Sequence, residues 1–167
     1  MARSYFAVAA MATILGICTA ACSTSDSPAD PGDAGNVYVK CDDDKRVIPY
    51  TPNMEVASAQ KKFKFKLVSA DPAPPQKNHN KWKIRIVDQN GAEIPDGVVT
   101  VPPPFMPDHG HGSSVTPSVI PTGDGNYDVG FTSPLHFFMP GVWRITVNVK
   151  IPNTVLDSAE FYFCVPG

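Results

Sequence analysis

From Phe105 to Ser114 the chain reads FMPDHGHGSS, which places a thioether (Met106), a carboxylate (Asp108) and two imidazoles (His109 and His111) within one short segment. Side chains two apart on an extended backbone project to the same face, so His109 and His111 can turn their rings toward one ion. Glycines at 110 and 112 let the backbone bend around it. A second methionine, Met139, stands in a Pro-Gly turn, and His136 three residues before it is a further candidate. A thioether and imidazole set prefers copper; zinc more often takes thiolate or carboxylate, and calcium takes oxygens. With both methionines contributing the preference would be for Cu(I), and because imidazole ligates only when neutral, binding should weaken in acid. The plainer reading is a proline-and-glycine loop whose histidines are exposed and whose methionines cap the end of the fold. His79, in KNHNKW, reads as a loop residue of that plainer kind.

Other chemistry has less to stand on. There is no Gly-x-Ser-x-Gly elbow, and Asp108, His109 and Ser113 crowd into one segment where a catalytic triad would converge from separate elements. No glycine-rich phosphate loop precedes a helix. The acids Asp42 to Asp44 in CDDDK read as solvated surface before they read as a hard-cation site. A binding domain is therefore expected, and not an enzyme.

The elements that must position these residues are strands. Eighteen prolines and twelve glycines argue against long helices, and the recurring pattern has period two. In KKFKFKLVS, Phe63, Phe65 and Leu67 alternate with lysines; in KWKIRIVD, Trp82, Ile84 and Ile86 alternate with Lys81, Lys83 and Arg85. Each predicts a strand with one buried and one wet face. The lysine faces read as solvated surface that discourages aggregation, and Trp82 and Trp143 as core. Further strands are expected in VYVKC from Val37, GVVTV from Gly97, SSVTPSVI from Ser113, NYDVGFT from Asn126, GVWRITVNVK from Gly141 and AEFYFCV from Ala159. DQNG, TGDGN and MPG supply turns, while PAPP and VPPP cannot lie in a central strand. The expectation is an all-β, immunoglobulin-like β-sandwich of seven to eight short antiparallel strands, with a small barrel as the alternative.

Ahead of this domain lies an export signal. Arg3 supplies the positive end, FAVAAMATILGI the apolar run, and Ala20 and Ala21 the small residues before Cys22. The junction TAACS resembles a bacterial lipobox, although Thr19 stands where that motif usually carries an apolar residue. The resemblance implies lipidation at Cys22 and, with Ser23 next, an outer-membrane anchor facing the periplasm. The alternative is a secreted protein cut after Ala21. Residues 22–36 carry no large apolar side chain and read as a flexible tether, leaving residues 37–167, about 130, as one domain. The formal charge is −2, and no basic block is interleaved with aromatics, which argues against nucleic acid. With Cys18 in the signal and Cys22 acylated, Cys41 and Cys164 remain; in an oxidising compartment they are expected to form a disulfide joining the first strand to the last.

The blocks KWKIRIVDQNGAEIPDGVVTV, MPDHGHG and GDGNYDVGFTSPLHFFMPGVWRITVNV, in that order, are similar to the YtkA-like family of exported bacterial domains, related to FixH-like proteins of cytochrome oxidase assembly. The resemblance runs from about Lys81 to Lys150. It implies an immunoglobulin-like sandwich and a copper-handling role, with Met106, His109 and His111 as ligands, Met139 as neighbour and a protein partner for metal transfer. The chain departs from the FixH-like proteins in lacking their transmembrane helix. The competing expectation is a structural or protein-interaction domain without metal.

Overall fold

The computed structural model describes residues 41, 43–94, 97–152 and 156–167. The signal and tether expected over residues 1–36, Cys22 with them, and the strand expected over residues 37–41, apart from Cys41, lie outside the described residues. In chain order the strands are β1 (Met54–Ala57), β2 (Phe63–Asp71), β3 (Asn78–Asp88), β4 (Val98–Thr100), β5 (Phe105–Met106), β6 (His111–Gly112), β7 (Val119–Gly123), β8 (Asn126–Val129), β9 (Leu135–Phe137), β10 (Gly141–Lys150) and β11 (Asp157–Val165). One sheet has the order β1-β2-β3-β8-β7, with β9 also on β3; the other runs β11-β10-β5-β6, with β4 also on β10. The pairings are antiparallel. The all-β sandwich expected from the period-two pattern is thus the fold.

Its core comes from that alternation. Phe63, Phe65 and Leu67 on β2 and Trp82, Ile84 and Ile86 on β3 are buried from one sheet. Trp143, Ile145, Val147 and Val149 on β10, with Ala159, Phe161, Phe163 and Val165 on β11, are buried from the other. Each large apolar side chain removed from water here stabilises the fold by about 1.5–3 kcal/mol. The Trp82 ring meets Phe161 and Phe163 edge-on at 5.8 and 5.5 Å, tying β3 to β11 across the sandwich. The DQNG turn closes as expected: Asp88 Oδ1 accepts from the Asn90 and Ala92 amides, both at 2.8 Å.

Strand count and some borders differ from the sequence reading. β1, β5, β6 and β9 are additional; each has four residues or fewer, too short for alternation to register. The strand expected from Ser113 begins only at Val119, after Pro117, and carries Pro121 at a sheet edge, where a missing donor is tolerated. His79, read as loop, lies inside β3, opposite His136 of β9. The inward series Trp82, Ile84, Ile86 continues upstream at Asn80, which is fully buried; a polar residue on the core face hid the strand's beginning. Asn80 is satisfied there, with Oδ1 accepting from the Gln76 amide at 3.0 Å and Nδ2 donating to the Gln76 carbonyl at 2.7 Å. Beside it Gly130 has φ +84°, and a Cβ there would lie 2.6 Å from the Asn80 carbonyl oxygen and 2.9 Å from the Leu135 nitrogen. Only glycine lets this turn close onto the β3–β9 pair.

Cys41 and Cys164 are joined in a disulfide with Cα atoms 5.5 Å apart. Cys164 lies on the last strand as expected, but Cys41 is outside any described strand. The chain after it reaches β11 by another route, the Ile48 amide donating to the Tyr162 carbonyl at 2.9 Å.

Candidate metal centre

β5 and β6 make a short hairpin in which Met106 stands directly opposite His111. The intervening residues close as a tight turn: the His109 and Gly110 amides both donate to the Met106 carbonyl, at 3.2 and 3.0 Å, and Gly110 has φ +68°. This puts the His109 and His111 rings 5.5 Å apart, both residues exposed. Two imidazoles that each reach one ion at about 2 Å show a span of this order between ring centres.

A second segment meets the hairpin at this point. His111 stacks on Phe138 with centroids 5.6 Å apart and planes 26° from parallel. Phe138 in turn stands edge-on to the buried Trp143 at 5.2 Å. The Met106 methyl lies against Gly141, where a Cβ would approach it to 2.6 Å; φ is +134°, a conformation that favours glycine. The Met139 carbonyl accepts from Trp143 Nε1 at 2.9 Å, which fixes the Met-Pro-Gly turn to β10. The methionines sit deeper than the histidines: Met106 is fully buried and Met139 is partly buried against the core.

The chain has four histidines, and ring contacts string all of them together. His109 meets His111, His111 meets Phe138, Phe138 meets His136 at 6.4 Å, and His136 meets His79 at 5.1 Å. His136 therefore reaches the hairpin pair through Phe138, and its imidazole partner is His79. The sequence reading missed His79. The signal was available in the alternation Leu135-His136-Phe137, which marks a strand with an outward histidine, but three residues are too few to find its partner strand.

Among the described residues no group of three or more His, Cys, Asp or Glu side chains could hold a metal ion. The hairpin's own carboxylate is engaged elsewhere. Arg46 Nη2 donates to Asp108 Oδ1 and Oδ2 at 2.8 and 2.7 Å, while Arg46 Nε donates to Asp44 Oδ1 at 2.9 Å. The third acid of CDDDK thus serves in an ion-pair clamp that ties the hairpin turn to the segment after Cys41. Hydrogen bonds from the Arg46 side chain, then from its backbone amide, hold the Asp44 carboxyl at about 2, below its ordinary 3.8. Those to Asp44, then Asp108, raise the Arg46 guanidinium above its ordinary value. A carboxylate with a depressed folded value contributes stability above its unfolded value and loses it as pH falls through the folded one. The Arg46–Asp44 arm of the clamp should accordingly hold from neutral pH down past 3.8 and open only toward about 2. Carbon-13 titration of the Asp44 carboxyl should show a midpoint near the lower value, and a midpoint at the ordinary one would mean that this arm does not form. Being exposed, it should also weaken with salt.

No helix among the described residues is long and apolar enough to cross a membrane. No curated protein matches the chain. Among solved structures, a copper-bound variant of FetP from uropathogenic Escherichia coli is similar at 15% identity and a TM-score of 0.39, over 68% of this chain and 96% of that one. That likeness is too remote to argue from. The family model described as YtkA-like matches residues 57–148, more than half of the sequence and reaching upstream of the blocks that first suggested it. It takes in β2, β3, the hairpin and most of β10, and the chain belongs to the YtkA-like family.

Proposed function

We propose that this domain handles copper, holding the ion at the hairpin end through His109 and His111 with the thioethers of Met106 and Met139 behind them. The observation that carries the reading is convergence: the hairpin from Phe105 to Gly112 and the turn from Phe138 to Gly141 meet through the His111–Phe138 stack and the Met106–Gly141 contact. Two segments separate in sequence, one carrying Met106, His109 and His111 and the other Met139, thereby adjoin, which supports a ligand set drawn from both. The donor set fits copper, because the paired rings are exposed, the thioethers beside them in sequence are soft, and the hairpin's own carboxylate, Asp108, is engaged by Arg46. Copper is cargo in this reading. The histidines capture the ion at the surface, and the thioethers favour Cu(I) if the hairpin tilts far enough to offer the Met106 sulfur. The role is binding and delivery to a protein partner, without catalysis. Protein purified without chelators should carry copper in preference to zinc; copper-free protein that binds neither copper oxidation state above background would end this reading.

One observation favours the plainer function, a structural or interaction domain in which the loop only packs. Met106 is fully buried with its methyl against Gly141. Met106→Leu separates the two, since it keeps volume and removes sulfur. Lowered Cu(I) affinity at unchanged stability supports the copper site, whereas unchanged affinity assigns Met106 to packing.

The same proposal puts the domain on a lipid anchor at Cys22, probed by the TAACS junction after an uncharged apolar run. Cys22→Ala should move the protein from the membrane fraction to the soluble fraction. Unchanged membrane association would overturn the anchor and leave the secreted alternative. Attachment to the outer membrane, facing the periplasm, is the location that goes with it.

A further inference from the structure

We propose that His79 and His136 form a second metal site, which takes a divalent transition ion, Cu(II) most tightly. The two residues are register partners on antiparallel strands, with ring centroids 5.1 Å apart and planes at 72°. Two imidazoles reaching one ion at about 2 Å with a near-tetrahedral angle between them place their ring centres about 5 Å apart. The pair is built on backbone anchored by its buried neighbours. Leu135 and Phe137, on either side of His136, are fully buried, and so is Asn80, next to His79. Asn80 bonds Gln76 through both ends of its amide, and Gly130 packs its backbone onto both strands. The rings themselves stay reachable, His79 exposed and His136 half-buried, so an ion can enter without any strand opening.

The chemistry of this pair differs from that of the hairpin. No thioether is built into it, so nothing selects Cu(I), and two neutral imidazoles rank divalent ions in the order that places Cu(II) highest. With two protein ligands the remaining positions belong to water or to a ligand from another molecule, which makes the site exchangeable. The Phe138 ring touches both His111 and His136, so the two pairs adjoin while having no ligand in common. The inference uses different residues from the hairpin reading and stands or falls separately from it.

The full chain, isotope-labelled and metal-free, would be titrated with Cu(II) alone while the imidazole Cε1–H signals are followed, with bound copper counted by equilibrium dialysis. Broadening of His79 and His136 at substoichiometric Cu(II), and a loss of one bound ion per chain in His79→Gln/His136→Gln, are the expected results. Sharp His79 and His136 signals at saturation, or an unchanged count in the double variant, would overturn the inference. If removing either pair abolishes all Cu(II) binding, the four histidines serve one shared site, and a separate second site is again overturned. Broadening confined to His79 and His136 would uphold this site while counting against the hairpin. Because Cu(II) held at the adjoining hairpin would broaden these signals too, the titration is repeated on His109→Gln/His111→Gln, in which broadening of His79 and His136 must persist; its loss there overturns the inference.

Discussion

Replacing His109 and His111 together with alanine should lower copper affinity by on the order of 100-fold or more, since loss of an outer-shell partner alone typically costs 10- to 100-fold. Both residues are exposed, His109 on the four-residue turn and His111 at the start of β6, and the turn closes through backbone amides, so removing the rings leaves the hairpin's hydrogen bonds in place. The Arg46 clamp on Asp108 is likewise untouched. Thermal stability should therefore change little, which separates loss of ligands from loss of fold. Lost stacking on Phe138 is the one structural cost, and an exposed aromatic pair contributes about 0.5–1.5 kcal/mol. Competition titration of Cu(I) against a chromophoric chelator measures the effect at the hairpin alone. If the double variant binds Cu(I) as tightly as the parent, the hairpin is not the site and its loop serves packing.

Reduction of the Cys41–Cys164 disulfide should destabilise the domain by up to about 5 kcal/mol, the loop-entropy value for a closure of this length. The crosslink spans 123 residues, nearly the whole sandwich. Domains of this size are stable by about 5–15 kcal/mol in all, so the loss is a large fraction. Urea unfolding of the oxidised and reduced chains, or of Cys41→Ser/Cys164→Ser, gives the difference directly. The effect should extend to the candidate site, because Cys41 is followed closely by Asp44 and Arg46, which hold the hairpin turn through Asp108. Freed from Cys164, that segment keeps only contacts such as the Ile48–Tyr162 hydrogen bond to hold it on β11. Unchanged stability on reduction would show that the segment is held without the crosslink.

Whatever repeats along a line was legible in the chain alone. Lys62 to Leu67, Lys81 to Ile86 and Gly141 to Lys150 alternate apolar and polar residues over several pairs, and such a pattern has one stable outcome, a strand with one face buried. Two core faces in an antiparallel chain with many turns then give a sandwich, and DQNG gives its turn. The hairpin histidines were legible for the same reason, being two apart in a short segment. Which distant residues join them was settled by folding. β9 has three residues, too little local signal to announce a partner, and its pairing with β3 goes with burial of Leu135 and Phe137 against residues far away in sequence. The buried Asn80 is the sharper case. A polar side chain on the core face breaks the pattern that would have extended β3 to His79, and its position is settled by hydrogen bonds to Gln76 and Asn78 that only the folded chain supplies. The depth of Met106 was hidden likewise: its spacing from His109 is written in the sequence, but its burial depends on a space left open by Gly141 on another strand.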